Sequence, residues 1–82
     1  MRIDKYLNSV NITKRRAIAQ DMLHSGVVLI NGIVAKPSKE VKIGDKITLN
    51  FLEYSKHYTV LAIPTTKTIP KTHQNLYFKE EA

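Results

Sequence analysis

Residues 13–32, TKRRAIAQDMLHSGVVLING, constrain the fold of this 82-residue chain more than any other stretch. Ala19, Met22 and Leu23, with Ile18 at their border, have the spacing of one helix face. They follow Thr13, a residue type whose hydroxyl caps free N–H groups at a helix start. The helix runs to His24 or Ser25, and Gly26 suits the position just past its end, where a left-handed backbone is needed. Val27–Ile30 then reads as a strand, and Asn31-Gly32 is the strongest short-range hairpin signal.

The same stretch holds an anomaly. Lys14, Arg15 and Arg16 fall in the expected first turn, where the macrodipole disfavours each exposed cation by roughly 0.3–1 kcal/mol. No acid occupies that turn. The cations are either a solvated charged face or an anion site, with backbone N–H groups and guanidinium forks aimed at one phosphate.

On the N-terminal side, Arg2 to Val10 reads as a first helix with Ile3, Leu7 and Val10 in one apolar stripe. Asp4 lies in its first turn, where negative charge is favoured. Arg2 and Lys5, three apart, can share a face. Asn11 and Ile12 allow only a tight helix-to-helix connection.

On the C-terminal side, Ile33–Ala35 returns as a second strand and Lys36-Pro37-Ser38-Lys39 is a loop. Val41 and Ile43 bracket Lys42, and Gly44-Asp45 is a turn. Ile47–Leu52 and His57–Ile63 alternate as strands joined through Glu53–Lys56, and the last stops at Pro64. Beyond Pro64 the threonine-rich composition predicts an extended or mobile linker. Leu76, Tyr77 and Phe78 are its exception, as a brief helix or docking segment. The expected fold class is α+β: two short N-terminal helices packed on a small, mostly antiparallel sheet of about four strands, with a flexible or short-helical C-terminal tail. The expected domain is residues 1–63, with residues 64–82 as tail or linker.

Charge is distributed unevenly. Residues 1–46 hold nine cations and four acids, and residues 47–82 hold four cations and three acids. A basic half joined to a near-neutral one points to a directional polyanion surface. Without cysteine, thiolate metal sites and thiol nucleophiles are excluded. The longest apolar run is Gly26–Ile30, far short of a membrane span, and the N-terminus lacks a secretory signal. The expectation is a cytoplasmic protein without membrane contact. His24, His57 and His73 are too widely spaced to suggest a metal site. No Ser/His/Asp set or glycine-rich phosphate loop is present, so neither an enzyme nor a cofactor is expected. Tyr6, Tyr54, Tyr58 and His57 are candidates for base stacking, although for Tyr58 a core role with a wet hydroxyl is favoured.

The segments MRIDKYL, KRRAIAQDML, SGVVLINGIVAKPSKEV and IGDKITL, in that order, resemble the RNA-binding domain named after ribosomal small-subunit protein four. The likeness covers about residues 1–52. Within the family it is greatest to a ribosome-associated heat-shock protein and the quality-control factor P group, which bind large ribosomal subunits carrying stalled peptidyl-tRNA. The resemblance implies a basic RNA-gripping surface of Arg2, Asp4, Lys5, Lys14, Arg15, Arg16, Gln20, Asn31, Lys36 and Lys39. Arg16 takes the arginine position most typical of the motif. Arg15 stands where members often have Ser or Thr. Asp4 either favours its helix start or orients a neighbouring arginine. The expected function is non-catalytic binding of rRNA and tRNA on the large subunit, in quality control or rescue, by a monomer. A general RNA chaperone or assembly factor is the alternative in the same class, and a protein-interaction adaptor the alternative from another.

Overall fold

Apolar spacing sets both helices in the computed structural model, which describes residues 1–65 and 69–81. In α1 (Ile3–Ser9), Ile3, Tyr6 and Leu7 are buried, and Val10 continues the stripe at its C-cap. Helix α2 (Arg16–His24) buries Ala19 and Leu23. It ends as its sequence predicts. Gly26 adopts φ +76°, its N–H donates to the Leu23 carbonyl at 3.3 Å, and the Val27 N–H donates to Met22 at 3.1 Å. These two bonds close the last turn in the Schellman manner, which needs a left-handed residue.

The start of α2 differs from expectation. Its N-cap is Arg15, in extended conformation and without a side-chain capping bond. Thr13 lies two residues earlier, where its N–H donates to the Leu7 carbonyl at 3.0 Å and its carbonyl accepts from Asn8 Nδ2 at 3.4 Å. These bonds hold Thr13 in the connection, so its hydroxyl is buried and caps nothing. Lys14 and Arg15 therefore precede the helix, and Arg16 alone of the three cations is helical.

Strands β1 (Val28–Ile30) and β2 (Ile33–Val34) form the expected hairpin. Asn31 and Gly32 have φ +52° and +83°, the two positive values of a type I′ turn. Strand β3 (Lys46–Asn50) pairs with β1, and β4 (Ser55–Val60) with β3. Ser55 Oγ donates to Asn50 Oδ1 at 2.9 Å, tightening that second hairpin. All pairings are antiparallel, in the order β2-β1-β3-β4-β5.

The sheet thus has five strands, and the fifth comes from the tail. A 3-10 helix covers Lys71–Leu76 and β5 (Phe78–Glu81) follows it, so of Leu76, Tyr77 and Phe78, expected as a brief helix or docking segment, only Leu76 is helical and Phe78 opens the strand. Phe78 pairs with Val60 and meets Tyr58 edge-on, ring centroids 5.3 Å apart. Tyr6 Oη donates to the Tyr77 carbonyl at 2.8 Å, and the Leu61 and Ala62 N–H groups donate to the same oxygen. Those two amides leave β4, which ends at Val60 rather than at Ile63. Asn11 Nδ2 donates to the Ile69 carbonyl at 2.9 Å, and Ile69 itself is buried. The expected threonine-rich linker falls partly on residues 66–68, outside the described residues. One buried cluster joins both helices, the inner faces of the strands, Ile69 and Phe78.

Candidate nucleic-acid interface

Asp4 lies where the two helix starts meet. Its side chain is fully buried, yet Oδ2 accepts from Arg2 at 3.1 Å, from Arg16 at 3.3 Å and from Gln20 at 3.4 Å. Oδ1 accepts from the Lys5 N–H at 2.7 Å. Arg16 and Gln20 are four apart and project from the same face of α2. Asp4 therefore both satisfies its own helix start and orients two arginines. It also supplies, from α1, the negative charge that the first turn of α2 lacks. One of the three anomalous cations is compensated within the fold.

Burial alone would raise the Asp4 pKa. Hydrogen bonds from Gln20, the Lys5 N–H and Arg16, together with the Arg16 charge, outweigh that penalty and hold it below the ordinary carboxylate value. The carboxylate stays ionised, and both guanidinium groups stay about half exposed, at 47% for Arg2 and 48% for Arg16. Each arginine is held by one nitrogen at Asp4 and keeps other donors for an external anion.

Backbone pairing brings the basic loop to the same place. Arg2 bridges Glu40 in antiparallel fashion, with the Ile3 N–H on the Lys39 carbonyl at 2.8 Å and the Val41 N–H on the Met1 carbonyl at 2.9 Å. Lys39 is thereby fixed beside Arg2. The Lys39 N–H donates to the Lys36 carbonyl at 3.0 Å, closing the Lys-Pro-Ser-Lys turn. Lys36 and Lys39, with Asn31, line a cavity of about 560 Å³. Lys42 lines it too. Sequence reading did not select this residue, although buried Val41 beside it already aimed Lys42 outward.

The remaining expected residues fall into two groups. Lys5, Lys14 and Arg15 are exposed, and their side chains form no hydrogen bond or ion pair among the described residues. Asn31 is used by the fold: Nδ2 donates to Asp45 at 3.2 Å and Oδ1 accepts from the Lys46 N–H at 3.0 Å. Tyr6 and Tyr58 are core residues, whereas Tyr54 and His57 are exposed.

Comparison with known proteins gives the same outline. The S4 domain family model matches residues 1–47. The Helicobacter pylori RQC P-site tRNA stabilizing factor is 53% identical over 77 residues, covering 94% of this chain and 92% of that protein. Heat shock protein 15 of Escherichia coli is 34% identical along the whole chain, which spans 61% of its length. The trimeric structure of Vibrio cholerae heat shock protein 15 superposes with a TM-score of 0.88 at 33% identity, covering all of this chain and 82% of that one. With the helix pair, the basic loop and the family model all coinciding on residues 1–47, the chain belongs to the S4 domain family.

Proposed function

We propose that this protein is a non-catalytic RNA-binding factor that contacts rRNA and tRNA on the large ribosomal subunit and steadies stalled peptidyl-tRNA there during quality control. The observation that carries this reading is the Asp4 hub, which presents Arg2, Arg16 and Gln20 as one rigid polar group. Lys39 stands beside it through the Arg2–Glu40 bridge, and Lys5, Lys14, Arg15 and Lys36 add exposed cations in the same half of the sequence. Rigid guanidinium forks bind phosphate bidentately, while lysines follow the backbone more loosely. A-form RNA hides its base edges, so such a surface reads shape, 2′-hydroxyls and loops. The relatives named as stabilizing factors of P-site tRNA support the choice of tRNA as one partner.

Arg15 gives the cleanest test, because its exposed side chain forms no hydrogen bond or ion pair among the described residues. Arg15→Ala weakens binding to tRNA-loaded large subunits by about 1–3 kcal/mol, the size of a charge-assisted bond, with an unchanged melting temperature. In a sucrose gradient the parent protein migrates with free large subunits, as a monomer. Migration at the top of the gradient, or a complex that survives nuclease, overturns the proposal.

A further inference from the structure

Among the described residues, Thr13 carries the one buried side-chain polar atom without a hydrogen-bond partner. Its backbone is pinned on both sides, and Oγ1 is buried with no hydrogen-bond partner. A buried hydroxyl without a partner is costly, and a bound group that supplies the missing hydrogen bond would remove that cost. Thr13 lines a cavity of about 280 Å³ between α2 and the β3–β4 hairpin. One wall is the ring pair of Phe51 and Tyr54, centroids 4.9 Å apart, and Met22 lies in another. Lys14 and Lys56 contribute the only charges in its lining. Three other surface cavities each include a carboxylate, whereas this one includes none.

Aromatic wall, cationic rim and an orphan hydroxyl together select a ligand that is planar, polar at its edge and linked to an anion. We propose that this cavity receives one unstacked nucleobase of the bound RNA. The base lies against Tyr54 and Phe51, its edge hydrogen-bonds Thr13 Oγ1, and its flanking phosphates meet Lys14 and Lys56. The cavity is slightly smaller than the about 300–1,000 Å³ of drug-sized ligand sites, which suits a single ring system. A hydroxyl both donates and accepts, so the pocket tolerates any base. Oγ1 is shielded in the empty cavity, so entry of the base requires a wall to move, and Tyr54, 57% exposed, is the wall that swings aside in this proposal. Lys14 precedes Arg15 and Arg16, so the pocket continues the proposed RNA surface around the start of α2 and rests on that reading.

Titration of the intact protein with each of the four nucleoside 5′-monophosphates, followed by NMR, tests the pocket directly. The expected result is shifts at the Thr13 and Met22 methyls and the Tyr54 ring, absent with ribose 5-phosphate alone. Tyr54→Ala weakens binding of a single-stranded hexanucleotide by roughly 5- to 100-fold, the range of one base stack, and Thr13→Val by roughly 2- to 10-fold, the range of one hydrogen bond, while Leu52→Ala, fully exposed and outside the lining, changes nothing. Equal shifts with ribose 5-phosphate, no shifts at all, or shifts only with an acidic amphipathic peptide overturn the base pocket. Loss of hexanucleotide affinity in Leu52→Ala as well also overturns it. Structured rRNA and tRNA form a separate arm. If they bind the parent protein while the monophosphates do not, the pocket fails and the RNA-binding reading stands. If the monophosphates bind and structured RNA does not, the RNA-binding reading fails and the cavity is overturned as a site for a base of bound RNA.

Discussion

Asp4 is sealed from water, and four hydrogen bonds converge on its carboxylate. Asp4→Asn keeps the shape and removes the charge that both arginines face. The two guanidinium groups are about half exposed, so water recovers part of the loss; about 1–3 kcal/mol of destabilisation is expected by urea unfolding. Acid has the same effect in the parent. A carboxylate whose folded pKa lies below its unfolded value stabilises the fold fully above the unfolded pKa of about 3.9. That contribution is lost as pH falls through the folded value. Unfolding free energy of the parent therefore drops below about pH 4, and Asp4→Asn flattens that limb. Thr13→Val has the opposite sign. Replacing a partnerless buried hydroxyl by a methyl of similar shape leaves the fold unchanged or more stable, by up to about 1 kcal/mol, measured by the same unfolding curves.

At the scale of elements, the parts specified by neighbours along the chain were legible and the parts specified across it were not. The apolar stripe of α1, the Gly26 stop and the Asn31-Gly32 reversal are local, and each stands where its spacing puts it. Thr13 misleads because a hydroxyl shortly before a helix looks the same whether it caps or not; the bond from its N–H to Leu7 decides, and that bond is tertiary. Similarly, Lys14-Arg15-Arg16 reads as three cations without compensation because Asp4 reaches Arg16 from another helix. Strand β5, FKEE, has a single apolar residue and no alternation, so only the open edge of β4 makes it a strand. That pairing gives a measurable consequence. Tyr6→Phe deletes the donor to the Tyr77 carbonyl and weakens the docking of β5 by about 0.5–1.5 kcal/mol, read as faster amide hydrogen exchange at Leu61 and Ala62 than elsewhere in the sheet. Equal acceleration throughout the sheet means that the strand does not open separately.

For the molecule as a whole, charge placement matters more than total charge. The net +6 is concentrated in the half that contains the helix pair and the basic loop. Contacts to five or six phosphates predict that log affinity for tRNA falls against log salt with a slope of about −4 to −5. Arg15→Ala reduces the slope by about one contact's worth, 0.7–0.9, while Thr13→Val leaves it unaltered, because a base contact displaces no counterion.

The bond from Tyr6 to Tyr77 closes a loop of 71 residues, and it imposes an order on biosynthesis. The first helix is synthesised long before the residue whose carbonyl accepts its tyrosine's hydrogen bond. Chains halted ahead of residue 69 therefore lack Ile69 and Phe78 from the buried cluster and are cut readily by protease, and resistance requires residues 69–81 to be free to dock.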